Sequence, residues 1–428
     1  MAMRFRFLPL LLAVSFSLPA QIKNILLTEQ KEGRPLPGEP SVIINHAEDG
    51  NIITAMGTDL VVYTVDGGKT WNESLITSPL GRGASVGMIA DAKGRIYNFH
   101  RTEGEKPGEG YDHIICQRSD DGGKTWNEGS VFGGGSGKKN DKLGIAVNVG
   151  KQIIYAAWTQ YDQFPSTEPG CKSYAMFTMA SNAGNRWDKP RAMNQLPGNC
   201  ANDGTSIAGV TPAVSGEGRI FLAWSNNNVI FFDRSYDEGK NWLFNDLAIA
   251  QQHGGWALSV TGFGVTYNAP MLMIDNSASR YHGVLHLVFA DQRAGVNDTD
   301  IWYHRSIRYG DSWAPPTKVN KDESGRHQFS PAMAIDQVTG NIYILYYDQR
   351  DYTDGQTDVY LSWSIDGGSN FSERRISETP FTATPIPFYD HTAISAHNGV
   401  ITPVWTRTDN GKISIWGAVI TESELMKK

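Results

Sequence analysis

A short string, Val65-Asp66-Gly67-Gly68-Lys69-Thr70-Trp71, returns almost unchanged as Asp121-Gly122-Gly123-Lys124-Thr125-Trp126. Looser copies follow at 181–187, 235–242, 306–313 and 364–371. A repeat at broadly even intervals outranks every other constraint on the fold. Each unit must be one supersecondary element that buries its apolar face against its neighbours. Within a copy, the Asp carboxylate accepts backbone N–H bonds and the following Gly takes φ > 0, so the string is a turn. The Trp, or Phe371 in the last copy, follows closely enough to fold back and bury its ring between adjacent sheets. Equivalent carboxylates spread round a ring cannot share one active site, so the repeated Asp residues read as structural.

Between the turns the apolar pattern is that of strands. The sixth unit reads as strands over 330–336, 341–350, 358–365 and 373–377, a four-stranded antiparallel meander. Similar units begin near Pro40, Ser85, Lys142, Thr211 and Pro270. A seventh begins at His391 and has three strands, over 391–397, 399–407 and 412–420, without a turn string. An unpaired edge there would invite aggregation. The segment 23–30 has no blade of its own and supplies the missing strand. The predicted fold is therefore all-β: one propeller domain over 21–428, seven four-stranded antiparallel blades closed by the N-terminal strand, with six blades as the alternative.

The two tight copies carry the pattern S-x-D-x-G-x-T-W, which resembles the Asp-box, or BNR repeat, of sialidases and related β-propeller proteins. Ala183 replaces the Asp in the third copy, the fifth reads Arg308-Tyr309-Gly310, and the sixth ends in Phe371. The resemblance covers nearly all of the chain after residue 20. It implies a site on the face opposite the boxes, over the central channel. Sialidases bind the substrate carboxylate with several Arg and use a Tyr nucleophile with a Glu partner and an Asp acid/base. They also carry an Arg-Ile-Pro motif near the start of the domain. Here that region reads Gly38-Glu39-Pro40-Ser41-Val42, and the nearest Arg is Arg34.

The first twenty residues read as a secretory signal, with Arg4 and Arg6, an apolar run over 7–16, and Leu18-Pro19-Ala20. The run is too short for a lasting membrane span, and no Cys follows it to take a lipid. The expected location is secreted or periplasmic, with no membrane anchor. The 45 Gly, 11% aromatic and 19% charged residues suit a β-rich exported protein. A net charge of −7 without a basic stripe excludes nucleic acid as a partner and leaves a glycan or glycoconjugate. Three Cys leave at least one thiol unpaired. Cys116 reads as a buried strand residue. Cys171 and Cys200 fall in loops on one face, either bridged or as two reduced thiols.

Blade topology puts the long polar loops, 100–112, 162–172, 291–300 and 348–358, on the face opposite the boxes. The links 79–84, 199–206, 251–269, 322–329 and 379–390 join them there. The arginines on that face are Arg82, Arg101, Arg293, Arg326, Arg350 and Arg407. Arg293 and Arg350 sit in a repeated Asp-Gln-Arg string that favours structural ion pairs. Candidate acids are Glu103, Asp162, Asp203 and Asp390; candidate tyrosines are Tyr111, Tyr161, Tyr267 and Tyr389. His100, His113, His253, His327 and His391 suit acid/base work. The favoured catalytic set is Asp390, Tyr389, Glu103 and His100, with Arg82, Arg101, Arg350 and His391 binding substrate. No cofactor is expected. The oxygen-rich loops 297–300 and 351–358 have the chemistry for Ca²⁺, although solvated turns explain them better.

Three readings follow: an exo-acting glycoside hydrolase of sialidase type, favoured by the resemblance; a non-catalytic glycan- or protein-binding propeller; and a polysaccharide lyase on the same fold. Three converging Arg with a Tyr–Glu pair and an Asp would select the first. His and Tyr converging with one or two Arg would favour the lyase, and a channel mouth lined by apolar or small residues would leave the binding propeller.

Overall fold

The computed structural model describes residues 21–57, 59–81, 85–103, 111–134, 137–382 and 391–427, with backbone alone at 85, 86, 103 and 111. Runs such as Ile342–Asp348 are buried along their whole length, as central strands covered on both faces must be. Gln328–Ile335, Ile342–Asp348, Gln356–Ser364 and Ser372–Arg375 pair consecutively and antiparallel. The predicted boundaries of this unit agree to within two residues.

The same meander recurs along the chain. Pro40–Ile44, Ile52–Met56, Leu60–Thr64 and Asn72–Leu75 form one run, and Ser85–Ala90, Ile96–Glu103, Tyr111–Ser119 and Ser130–Phe132 the next. Lys139–Asn148, Ile153–Tyr161 and Ser173–Ser181 end on two short pieces, Arg186–Trp187 and Arg191–Ala192. Ala208–Val214, Ile220–Asn226, Val229–Ser235 and Leu247–Gln251 follow, then Met271–Ile274, Leu285–Gly295, Asp298–Ser306 and Thr317–Lys318. Near the C-terminus, Thr392–His397, Val400–Asp409 and Lys412–Gly417 pair in order, and Ile25–Glu29 adds to Lys412–Gly417. The first strand of each run lies against the first strand of the next, and Thr392–His397 lies against Pro40–Ile44.

Strands hold 51% of the chain, and the one helix among the described residues is the single turn Glu422–Leu425, capped by Thr421. The architecture is all-β, built of antiparallel sheets of propeller type.

The repeated strings form the expected turns. Asp66 accepts bonds from the backbone N–H groups of Lys69 and Thr70 and from the Thr70 hydroxyl, at 2.7–3.0 Å. Asp121, Asp237 and Asp366 make the matching bonds in their copies. Where Ala183 replaces the Asp, φ is 52° at Asn182 and 55° at Ala183, the Asn185 N–H donates to the Asn182 carbonyl, and the Ser130 hydroxyl donates to the Gly184 carbonyl. Trp71, Trp126, Trp187, Trp242, Trp313 and Phe371 each enter a cluster of side chains between sheets. Local turn chemistry and long-range packing are thus joined in one string.

Cys171 and Cys200 are bridged, and Cys116 is a buried free thiol whose pKa burial pushes up. The link 251–269 departs from the expectation of a plain loop. It folds a hairpin, Ala257–Val260 with Gly264–Tyr267, whose Phe263 packs against Phe329 and Phe381 of another sheet.

Burial holds the His286 imidazole at about 4, below its ordinary 6.5, while Nδ1 meets the Tyr303 hydroxyl at 2.6 Å. The unfolded chain binds this proton below 6.5 and the folded chain only below about 4, so His286 stabilises the fold above 6.5 and loses that contribution as pH falls through the interval. In His286→Gln, urea unfolding between those pH values should show a slope shallower by about one proton than the parent. Equal slopes would refute the assignment.

Candidate active site

The first strands share a backbone irregularity. Strand pairing slips between Asp141 and Gly144, between Ala208 and Thr211, and between Phe329 and Ala332. At these bulges Lys142, Gly209 and Ser330 take φ of 55°, 63° and 53°. Gly209 adopts that conformation without steric cost, whereas a Lys there stores about 1–3 kcal/mol of strain. Bulges re-aim side chains, and this one directs Lys142 into a cavity of about 370 Å³ where the first strands meet. Gly144 permits the close approach: a Cβ there would lie 2.4 Å from the Val210 carbonyl oxygen.

One wall of the cavity is a chain of charges. Arg101 Nη2 donates to Glu39 Oε2 at 2.7 Å, and its Nη1 meets the Asp141 carboxylate. Lys142 Nζ reaches the other Asp141 oxygen at 2.8 Å. Burial alone would raise the Asp141 pKa, but the charges of Lys142 and Arg101 outweigh it and hold the carboxyl well below its usual range. Asp141 is therefore a fixed anion, not a proton donor.

Of three rings near Lys142, Tyr267 lines the cavity. Lys142 Nζ lies 4.7 Å from the Trp256 ring centroid, 5.7 Å from Tyr267 and 5.9 Å from Phe164. Trp256 is anchored through Nε1 to the Ser206 carbonyl at 2.9 Å. Tyr267 stacks on His391, with centroids 5.4 Å apart and planes 21° from parallel. Burial, followed by the nearby Asp141 charge, pushes the Tyr267 phenol far above its ordinary value, so it stays protonated at neutral pH. His391 Nδ1 has no hydrogen-bond partner among the described residues. The cavity thus sets a protonated phenol and an imidazole nitrogen beside two cations.

Of the residues singled out from the sequence, Arg101 and His391 come together here, with Tyr267 from the tyrosine candidates. Arg82, Tyr389 and Asp390 lie outside the described residues, as do the side chains of Glu103 and Tyr111. His100 does not line the cavity. It is buried against Gly81, and burial lowers its pKa to about 4. Arg350 is also elsewhere, bound to Asp348 at 2.6 Å and Glu373 and lying over the Tyr360 ring. That is the structural ion pairing its repeated string suggested, and Arg293 with Asp291 repeats it. Tyr161 is buried beneath the site, while Asp162 pairs with Lys138 and Asp203 with Thr205. Among the described residues, no group of three or more His, Cys, Asp or Glu is arranged to hold a metal ion.

Glu39, Asp141, Lys142 and Trp256 were missed. The signal for Lys142 was the Gly144 two residues later, a bulge marker inside a strand. Alternation in 256–267 around Thr261-Gly262-Phe263-Gly264 signalled the hairpin that carries Trp256 and Tyr267.

No family model matches the chain, and no curated protein matches it in sequence. Solved structures do match the fold. An ulvan lyase of polysaccharide lyase family PL25, bound to -[GlcA(1-4)Rha3S]-, superposes with a TM-score of 0.54 at 12% identity, over 94% of this chain and 96% of that one. A GH93 α-L-arabinofuranosidase of Fusarium graminearum, in complex with arabinobiose, gives 0.51 at 11% identity, over 94% and 99%. A mutant of the NanB sialidase from Streptococcus pneumoniae gives 0.51 at 10% identity, over 88% and 84%. The chain therefore has a fold shared by glycan-active enzymes of different chemistries, and the choice among them rests on the site.

Proposed function

We propose that this protein is an exported carbohydrate-active enzyme that cleaves an acidic, uronate-bearing glycan by β-elimination. The reading takes residues 21–428 as one propeller of Asp-box type. Its seven blades close where the N-terminal strand joins the last sheet. The pairing of Ile25–Glu29 with Lys412–Gly417 and the circuit of first-strand contacts support that count.

The observation that carries the chemistry is the stacked Tyr267–His391 pair beside Arg101 and Lys142. In a uronate, the carboxylate at C5 acidifies the C5 proton when cations withdraw its charge. His391 accepts that proton. The C5–H electrons form the C4=C5 double bond, the C4–O bond breaks, and the departing oxygen takes the Tyr267 proton. His391 then releases its proton to solvent and Tyr267 regains one, which restores both groups. Lys142 and Arg101, which share the Asp141 carboxylate, are the cations that would face the developing negative charge.

The sialidase reading is weaker on this geometry. Arg101 is the one Arg lining the cavity among the described residues. Glu39 occupies the region where a sialidase carries its Arg-Ile-Pro motif, and it pairs with Arg101.

The test is a panel of polymers: ulvan, other polyuronates, an arabinan and a sialoside. New ultraviolet absorbance from the double bond on a polyuronate is the expected result. Reducing ends released without that absorbance, or free sialic acid, would refute β-elimination.

A further inference from the structure

A second cavity of about 320 Å³ lies beyond the tip of the hairpin 257–267, and nothing in the proposed chemistry uses it. It is lined by Thr261 of that tip, by Asn297, by Gly325 to His327, and by Gln349, Tyr352, Thr353 and Gly355 of the loop that follows the Asp-Gln-Arg string. The hairpin is fastened on both sides of it. Gln349 Nε2 donates to the Thr261 carbonyl at 2.9 Å, and Gln292 Nε2 to the Ser259 carbonyl at 3.3 Å. Gly262 and Gly355 touch so closely that a Cβ on the first would lie 3.2 Å from the second's Cα. The walls are therefore held in place before any ligand arrives.

The lining is polar, and among the described residues its one formally charged side chain is Arg326. Arg326 has no hydrogen-bond or ion-pair partner among the described residues, whereas Arg293 and Arg350 on the same face are bound to carboxylates. Around it stand the Asn297 amide, the Thr353 hydroxyl and the Tyr352 ring, whose own hydroxyl is tied to Asp358 at 2.8 Å. His327 is buried, with its pKa lowered by burial and Nδ1 against the Thr299 hydroxyl at 2.9 Å, so it is neutral at neutral pH. Among the described residues, no carboxylate lines the cavity to satisfy the guanidinium.

An unpaired guanidinium fork, amide and hydroxyl groups and a fixed aromatic ring together match a carboxylate-bearing sugar. We infer that this cavity is a distal glycan subsite, in which Arg326 binds a uronate carboxylate on the same chain that is cleaved beside Tyr267. The two sites share the hairpin, Thr261 at its tip and Tyr267 at its base. The strand between them is four residues long and spans about 13 Å. A glycan filling both cavities is thus longer than the unit that is cut. The inference rests on the lyase reading only in taking the ligand to be an acidic glycan.

The test measures binding apart from turnover. Affinity electrophoresis through ulvan is run on Tyr267→Phe and on Tyr267→Phe combined with Arg326→Ala. Loss of a charge-assisted bond should raise Kd about tenfold, and carboxyl-reduced ulvan should abolish the difference between the two variants. Unfolding midpoints should be equal, since Arg326 holds nothing in the fold. The same Kd for both variants, a difference that survives carboxyl reduction, or no binding of either to ulvan overturns the subsite. Cleavage of ulvan by Tyr267→Phe would refute the role of Tyr267 in β-elimination while leaving the subsite standing.

Discussion

Tyr267→Phe is expected to lower kcat on an acidic polysaccharide by about 10³-fold and to leave KM nearly unchanged. The substitution removes one oxygen from a ring whose position is set by other contacts. Stacking on His391 and the cation–π contact with Lys142 both persist in Phe. Binding therefore survives while the proton for the departing oxygen is lost. The direction of the phenol's pKa adds a second readout. Burial and Asp141 hold it far above its ordinary value, so activity should not decline through the usual range of tyrosine ionisation as pH rises. Steady-state kinetics of both proteins across alkaline pH checks this. A variant with near-parental kcat removes Tyr267 from the mechanism, and a large rise in KM alone makes it a binding residue.

The second large effect is on stability. The Cys171–Cys200 bridge joins residues 29 apart in sequence. Restricting a loop of that length in the unfolded chain is worth about 3–4 kcal/mol. Replacing both Cys with Ala should lower the urea midpoint accordingly, while Cys116→Ala, which breaks no bridge, should cost far less. The bridge also shapes the site. It packs with Tyr161 and Phe164, and Phe164 lies 4.7 Å from the Tyr161 ring and 5.9 Å from Lys142 Nζ. The double variant should show a raised KM even where it remains folded. An unchanged midpoint would refute the stabilising role, and a parental KM would show that the loop does not wall the cavity.

Much of the fold was legible because its determinants are local. The turn at Asp121 needs its own carboxylate, the next few backbone amides and Ser119, all within seven residues. The strands of the sixth unit were readable from runs such as Ile342–Asp348. The edge left by the last sheet pointed to 23–30 as its partner, and Ile25 does pair with Gly417.

The site was legible only in part. Arg101 and His391 were singled out by residue type and loop face, and both line the cavity. Arg350 met the same criteria yet is held by Asp348 and Glu373, because a guanidinium near the sheet edge is satisfied by whichever carboxylate is close. His100 met them too, but alternation along its strand turns it from the cavity while Arg101 faces it. Lys142 was overlooked because Gly144, which marks a bulge, does not say which neighbouring residue turns left-handed.

The sequence by itself determined the class of fold: repeated turns, strand runs between them, and an unpaired edge with a segment to cover it. These follow from interactions between residues that are near neighbours in the chain. Tertiary structure alone decided which side chains meet. Glu39, Arg101, the Asp141–Lys142 pair, Tyr267 and His391 come from segments far apart in the chain, Tyr267 from the hairpin. Their meeting depends on how first strands pack and where each strand bulges, and packing between distant segments leaves no mark on the spacing of residues along the chain.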